Sequence, residues 1–300
     1  MSADSETAAP AWGALPVEQY LIRNWDHSSE LSTEEQRRQL VEAYIDEGVL
    51  DLELLSSPPS RVPTDAEVAD ILAPWRPQKL RRIAAAHLGL LPFEGQGPHF
   101  YLLRTYYGGG ADDDAKLRSW LDENLNNFDI EPEYGWFSVL DDAELFGVGD
   151  CWQEVYDLFP ELAAPEPDRR FTEEHVAWAL KRAKRLIKND PDESEDEHYA
   201  DAIRQVAALG GPPWLIVIDE EAFRTEELGL IFRDLKGNPV KEAEIEPYML
   251  NEFYGRYERG MMYEGHWEHA NVPKKYRVPG EIMRRLLPLV KGESLDVTRV

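Results

Sequence analysis

The chain has 300 residues, a length that suits one large domain or two ordinary ones. A composition of 43% hydrophobic and 11% aromatic residues predicts a folded chain with a substantial core. Its 58 acidic and 32 basic residues give a formal net charge of -26, which argues against nucleic acid and anionic membranes as partners and favours cations or basic proteins.

The compartment is predicted from the cysteine content and from the lack of a signal-peptide pattern and of an apolar run long enough to span a bilayer. Cys151 is the one cysteine, so no intrachain disulfide can form and a reducing compartment fits. The first residues lack the basic and apolar regions of a signal peptide, and no apolar run is long enough to span a bilayer. We therefore expect a cytoplasmic protein that does not insert into membranes.

The amino-terminal third predicts helices. Residues 1–15 are small, polar and proline-containing, which is typical of a flexible tail. Residues 16–95 are predicted to form a helical region, in which Thr64 stands three residues before Glu67 as in a capping box. Further helices are predicted over 32–48 and 77–89.

From residue 96 to 300 the pattern changes to strands alternating with helices. Strands are predicted over 99–107, 134–142, 214–219, 228–235 and 239–245. Helices are predicted over 114–127, 149–159, 171–190, 198–209 and 278–292, the last ending early at Pro288. Together these elements predict an α+β or α/β fold, with the helical amino-terminal region packed on a mixed sheet of about four to five strands flanked by helices.

Charge is distributed unevenly along the chain. Residues 101–168 carry 17 acids and 3 bases, whereas residues 169–188 carry 7 bases and 2 acids. The segment 190–197 is predicted to be an exposed acidic loop. Such blocks either neutralise each other inside one molecule or form a negative face for a basic partner.

The second interpretation assigns partner binding to acids of the 101–168 segment. A negative face of this kind could imitate DNA phosphates or cap a basic toxin. The acids that we expect to bind the partner first are Asp112, Asp113, Asp114, Asp122 and Glu123.

Asp219, Asp234 and Lys236 stand in an order that resembles a nuclease motif. Asp219 ends one predicted strand, and Asp234-x-Lys236 ends the next. This arrangement resembles the PD-(D/E)xK nucleases, although no proline precedes Asp219 and Lys236 stands at a turn. The resemblance implies that two carboxylates hold a divalent metal and that the lysine orients or activates water beside the scissile phosphate.

Two histidines supply a second candidate for metal binding. His266 and His269 have the spacing that places both on one side of a helix, where they could bind zinc. Phosphate loops, nucleophile elbows and dinucleotide fingerprints have no match in the sequence.

The sequence therefore predicts a non-enzymatic acidic binding protein: an inhibitor, immunity-type or regulatory partner that engages a basic protein and uses no cofactor. One alternative is a metal-dependent phosphodiesterase that uses Asp219, Asp234 and Lys236 with a divalent metal. The other is a salt-adapted protein of unrelated function, with its acids spread evenly over the surface.

Overall fold

A computed structural model describes most of the chain. The residues it describes are 9–46, 61–88, 90, 100–125, 137–163, 173–189, 194–211, 214–250 and 264–292. A five-stranded mixed sheet flanked by helices forms the centre of the molecule, which confirms the predicted fold class.

Helices precede, connect and follow the strands. The α-helices are α1 (Pro16–Asn24), α2 (Thr33–Asp46), α3 (Asp65–Glu67, continued as a π-helix over Val68–Leu72), α4 (Gln78–His87), α5 (Ala111–Leu125), α6 (Ala143–Phe146), α7 (Glu173–Asn189), α8 (Glu195–Gly210), α9 (Glu220–Thr225), α10 (Glu264–His269) and α11 (Glu281–Lys291). Short 3-10 helices cover Trp152–Asp157, Pro160–Ala163, Pro247–Met249 and Lys274–Tyr276.

The strands form one sheet in the order β2-β1-β3-β4-β5. Their bounds are β1 (Phe100–Arg104), β2 (Phe137–Leu140), β3 (Leu215–Ile218), β4 (Leu228–Arg233) and β5 (Pro239–Ile245). β1 pairs in parallel with β2 and β3, whereas β3–β4 and β4–β5 are antiparallel. The sheet therefore has three parallel strands at one side and a meander at the other.

Helices cover both faces of the sheet, and each face has its own apolar core. On one face, α5, α7, α8 and α11 pack over inward side chains such as Leu102 and Ile216. On the other face, the amino-terminal helices and the 3-10 helices pack over Leu103 and Val217. Adjacent residues of β1 and β3 thus point to opposite cores, as strand alternation requires, and β3 is buried along its whole length.

Residues 9–15 belong to the predicted tail, yet they contact the helical region. Leu15 is fully buried, and the carbonyl oxygens of Pro10 and Ala11 accept hydrogen bonds from Arg81. Glu18, at the start of α1, accepts a hydrogen bond from the Gly13 amide at 2.7 Å. Packing of the described chain therefore begins before α1.

Several predicted elements have different bounds or geometry in the structure. The predicted helix 149–159 is shorter in the structure and is the 3-10 helix Trp152–Asp157 rather than an α-helix. The predicted loop 190–197 is wrong at its end, since Ser194 caps α8 and three acids form the first turn. Pro288 does not end the last helix, which continues to Lys291 and stops at Gly292 with φ 74°.

The basic helix predicted over 171–190 corresponds to α7, which packs against α8. The solvent-exposed bases on it are Lys181, Lys184, Arg185 and Lys188. They therefore face water in the described chain. None of the described helices is both long and apolar enough to cross a membrane.

Candidate partner-binding site at the carboxyl ends of the parallel strands

The carboxyl ends of β1, β2 and β3 lie at the same edge of the sheet, because these strands are parallel. The chain leaves β1 toward β2 and leaves β3 toward β4, so the strand order reverses between β1 and β3. In open sheets of this kind, ligands bind in the crevice outside the carboxyl ends of the strands at such a reversal. This edge is therefore the first place to look for a site.

Acidic residues follow every one of the three strand ends. We define the carboxyl edge as residues 105–114, 141–144 and 219–227 together with Glu244, which lies near the end of β5 beside Gly229. The acids of this edge with exposed side chains are Asp112, Asp114, Asp141, Glu144, Glu220, Glu221, Glu226, Glu227 and Glu244. Asp113, Asp142 and Asp219 are half-buried beside them.

The sequence-predicted residues Asp112, Asp113 and Asp114 form the first turn of α5 at this edge. Acids are favourable there, because the helix dipole places partial positive charge at that end. Asp122 and Glu123 are exposed on the same helix. They lie about 15 Å farther along the helix axis, at 1.5 Å per residue. The structure therefore divides the predicted acids between two places.

A buried arginine stands beneath the acids. Arg104, the last residue of β1, is 2% exposed. Its Nη1 atom lies 2.7 Å from Asp114 Oδ1 and 3.4 Å from Asp141 Oδ1, and its Nε donates to the Tyr106 carbonyl oxygen at 2.9 Å. The guanidinium also lies 4.4 Å from the centroid of the Tyr107 ring. One cation thus links the ends of β1 and β2 to α5.

The carboxylates of the edge affect one another. Desolvation and the neighbouring carboxylate of Glu227 raise the pKa of Glu244, and Glu221 and Asp219 add to the effect. Partial desolvation, followed by the carboxylates of Glu220 and Asp113, raises the pKa of the Tyr106 hydroxyl. Both shifts favour the uncharged form, as expected where negative charges crowd together.

Glu244→Gln is expected to stabilise the protein slightly at neutral pH. A carboxyl with a raised pKa binds its proton more tightly in the folded chain, so stability falls as pH rises through that pKa and the cost is complete above it. The gain should stay below about 1 kcal/mol, because the side chain is exposed.

Urea unfolding of Glu244→Gln at about pH 7 and about pH 4 measures this effect, which should be present only at the higher pH. Glu246→Gln, an exposed acid two residues farther along, is the matched control. An equal gain in both variants would show that overall charge, rather than the local carboxylates, is responsible.

Aromatic rings lie among the carboxylates. Trp120 stacks on Phe223 with ring centroids 5.6 Å apart, and Tyr106 lies 6.3 Å from Phe223. Lys116 lies against this group: its Nζ atom donates to the Phe223 carbonyl oxygen at 2.7 Å and lies 3.0 Å from Glu226 Oε1. The edge therefore already holds one of the chain's own ammonium groups through a carboxylate, a carbonyl and a ring face.

The predicted nuclease residues are not brought together. The side chain of Asp219 caps α9 by accepting from the Ala222 amide, while Asp234 lies in the turn after β4. Because β3 and β4 are antiparallel, their carboxyl ends lie at opposite edges of the sheet, roughly 20 Å apart. Two carboxylates that far apart cannot share a metal ion. The prediction that Asp219 and Asp234 hold one divalent metal is therefore wrong.

Asp234 and Lys236 have other contacts. The Asp234 carboxylate accepts hydrogen bonds from the Lys236 amide at 2.8 Å and from the Tyr276 hydroxyl at 2.8 Å. Lys236 Nζ donates to the Asp46 carbonyl oxygen at 2.6 Å. Lys236 stands in the turn before Gly237, beyond the end of β4.

The histidine pair lies on a short helix. His266 and His269 are one turn apart on α10. Across the described ranges, no group of three or more histidine, cysteine, aspartate or glutamate side chains has a geometry that could hold a metal ion. The predicted pair therefore has no third protein ligand in the part of the chain that the structure describes.

Sequence reasoning missed Arg104, Asp141 and Glu220 as members of one site. The signal was present, because "VLDD" and "VIDEE" each place acids directly after an apolar strand. Their meeting depends on the parallel pairing of the strands, which the sequence does not state.

Comparisons of this chain with protein-family models, with curated proteins and with solved structures return no match.

Proposed function

We propose that this protein is a non-enzymatic binding protein that engages a basic protein through the carboxyl edge. The observation that supports the proposal is the gathering of exposed acids at the ends of three parallel strands. These acids are far apart in the sequence, and the parallel pairing of the strands places them at one edge of the sheet. Crowded carboxylates attract cationic side chains and speed their encounter.

The chemistry of the edge suits lysine and arginine side chains. Carboxylates form charge-assisted hydrogen bonds with ammonium and guanidinium groups, and aromatic faces attract the same cations. The contacts of Lys116 with Glu226, Phe223 and Trp120 exemplify the mode of binding. A partner presenting basic side chains on one surface would satisfy several such positions at once.

The biological role that fits is an inhibitor, an immunity-type protein or a regulatory partner. Direct binding to nucleic acid is not part of the proposal, because the same carboxylates repel phosphates. Cys151 is a free, exposed thiol, which accords with a reducing compartment such as the cytoplasm.

Two variants with equal charge test the proposal. The edge variant carries Asp112→Asn, Glu220→Gln, Glu221→Gln and Glu227→Gln. The control variant carries Glu30→Gln, Glu34→Gln, Glu42→Gln and Asp70→Asn, which neutralise four exposed acids outside the edge. A basic protein captured from the native host by the unaltered chain is purified, and its dissociation constant for each variant is measured by calorimetry.

The edge variant is expected to bind at least about ten-fold more weakly, while the control stays within about three-fold of the unaltered chain. Binding of the unaltered chain should weaken steeply as salt is raised from about 0.05 to about 0.5 M. Equal weakening in both variants would favour the salt-adapted alternative, in which only overall charge matters. Salt-independent binding would remove the electrostatic mechanism.

A further inference from the structure

A cleft lies at the end of the sheet opposite the carboxyl edge. It has a volume of about 390 Å³, within the range of small-molecule sites. Its walls are α8, the turn between β4 and β5, the 3-10 helix Lys274–Tyr276 and α11, and Asp46 at the end of α2 closes one side. We call it the cationic cleft, after three bases that line it: Lys236, Lys275 and Arg285. Three acids line it as well: Asp46, Asp234 and Glu281.

A hydrogen-bonded aspartate fixes the shape of the cleft. Asp234 Oδ1 accepts from the amides of Lys236 and Asn238, and its Oδ2 accepts from the Tyr276 hydroxyl. Gly237 completes the turn with a φ of 71°, a conformation that favours glycine. The carboxylate is thus fully hydrogen-bonded within the fold, which holds the turn and the 3-10 helix in one arrangement.

The tyrosine beneath the cleft keeps its proton. Burial, followed by the charge of Asp234, raises the pKa of Tyr276. Its carbonyl oxygen accepts from Arg204 Nε at 3.0 Å, which holds the 3-10 helix against α8. Tyr276 therefore contributes a neutral side chain to the floor of the cleft at physiological pH.

Two of the three bases are available for a ligand. Lys236 is held by Asp46, whose carboxylate lies 3.6 Å from its Nζ atom. Among the described residues, Lys275 Nζ donates to the neutral Asn238 side chain alone, at 3.0 Å. Within the described chain Arg285 forms no hydrogen bond or ion pair, and its side chain is exposed. Glu281, also exposed, is the remaining acid of the lining.

The rest of the cleft is apolar. Its half-buried lining comprises Val206 and Ala207 from α8 and Ile282 and Leu286 from α11. Leu235, at the tip of the turn, is 40% exposed. A few charged groups beside an apolar wall are the usual composition of a small-molecule site.

We propose that the cationic cleft binds a small organic anion: a carboxylate or phosphate group attached to an apolar body of about ring size. The head group lies between Lys275 and Arg285, and the apolar body lies against Ile282 and Leu286. The strong negative charge of the whole chain does not forbid this, since at physiological salt the screening length of about 8 Å leaves the nearest charges dominant. The cleft is independent of the carboxyl edge, and its occupant is different from the proposed basic partner.

Isothermal titration with matched naphthalene probes tests the inference. 1-Naphthyl phosphate and 1-naphthoate carry the two kinds of head group, whereas 1-naphthol is neutral and 1-naphthylmethylamine is cationic. Both anions are expected to bind at least about ten-fold more tightly than the neutral and cationic probes at about 0.15 M salt. Tighter binding of one anion than the other identifies the head group that the cleft prefers.

Variants locate the binding. The pair Lys275→Gln and Arg285→Gln should weaken both anions at least about ten-fold, while Arg284→Gln, the neighbouring exposed base outside the lining, should leave them unchanged. Ile282→Trp fills the apolar wall and should abolish binding of every probe. The inference is overturned if the neutral probe binds as tightly as the anions, or if no probe binds at millimolar concentration. It is also overturned if the Lys275→Gln and Arg285→Gln pair changes the affinity for the anions no more than Arg284→Gln does.

Discussion

Replacing Arg76 with methionine is expected to lower the free energy of unfolding by about 3 to 5 kcal/mol, because it leaves a buried carboxylate without its partner. Arg76 and Glu161 are both fully shielded from solvent and form two hydrogen bonds of 2.8 Å each. Glu161 belongs to the 3-10 helix Pro160–Ala163, and Arg76 lies two residues before the first residue of α4. The pair therefore joins the amino-terminal helices to the segment that follows β2.

The pair belongs to a larger buried network. Arg81 on α4 donates to Glu18 on α1 at 2.5 and 3.1 Å, and Arg76 Nη2 lies 3.8 Å from Glu18 Oε1. Each guanidinium also lies over a tryptophan ring, Arg76 over Trp75 at 4.2 Å and Arg81 over Trp12 at 3.7 Å. Loss of Arg76 thus leaves one carboxylate unpaired and weakens the support of a second.

Urea unfolding followed by tryptophan fluorescence measures the loss. Arg38→Met is the matched control, since Arg38 pairs with Glu35 on the surface and its removal should cost less than about 1 kcal/mol. The double variant Arg76→Met with Glu161→Leu should recover most of the stability, because it removes both charges together. A single variant as stable as the control would contradict the assignment of this pair as a buried, coupled contact.

Strand positions were predictable because their signals are local. Four apolar runs bounded by turns correspond to β1, β2, β3 and β4, and β5, which contains three charged residues, occupies the predicted range 239–245. The ends of the strands were less predictable where a side chain forms a hydrogen bond with nearby backbone groups. Asp219, predicted as the last strand residue, instead caps α9, because its carboxylate accepts the Ala222 amide.

Strand directions were not predictable from the same signals. The motif Asp219…Asp234-x-Lys236 requires the two strand ends to meet, and the short connection through α9 allows either direction. The structure makes β3 and β4 antiparallel, which separates the two carboxylates. The same pairing pattern brings Asp114 and Asp141 together around Arg104, although they are 27 positions apart in the sequence.

Buried charges were the least predictable feature. Glu18, Arg81 and Glu161 are charged residues, and a charged side chain in a sequence normally indicates exposure. Each is fully buried because a partner from a distant segment neutralises it. Such pairing is visible only once tertiary packing is known.

Arg104→Met is expected to lower the free energy of unfolding by about 2 to 3 kcal/mol, through the loss of hydrogen bonds to charged groups. The effect should be smaller than for Arg76, because Asp114 and Asp141 are half-exposed and water can solvate the carboxylates left behind. Without the guanidinium, the ends of β1 and β2 lose their common cation, and repulsion among the edge carboxylates rises.

The electrostatic part of this loss is separable from the packing part. Arg104→Lys keeps the charge but cannot contact Asp114, Asp141 and the Tyr106 carbonyl at once. Its free energy of unfolding should therefore fall between those of the methionine variant and the unaltered chain.

Arg118→Met, which replaces an exposed arginine on the same helix as Asp114, serves as the control and should cost less than about 1 kcal/mol. High salt should reduce the cost of Arg104→Met, because it screens the exposed carboxylates. If salt leaves the cost unchanged and the lysine variant is as unstable as the methionine variant, Arg104 acts by packing alone and is not a counter-ion for the carboxyl edge.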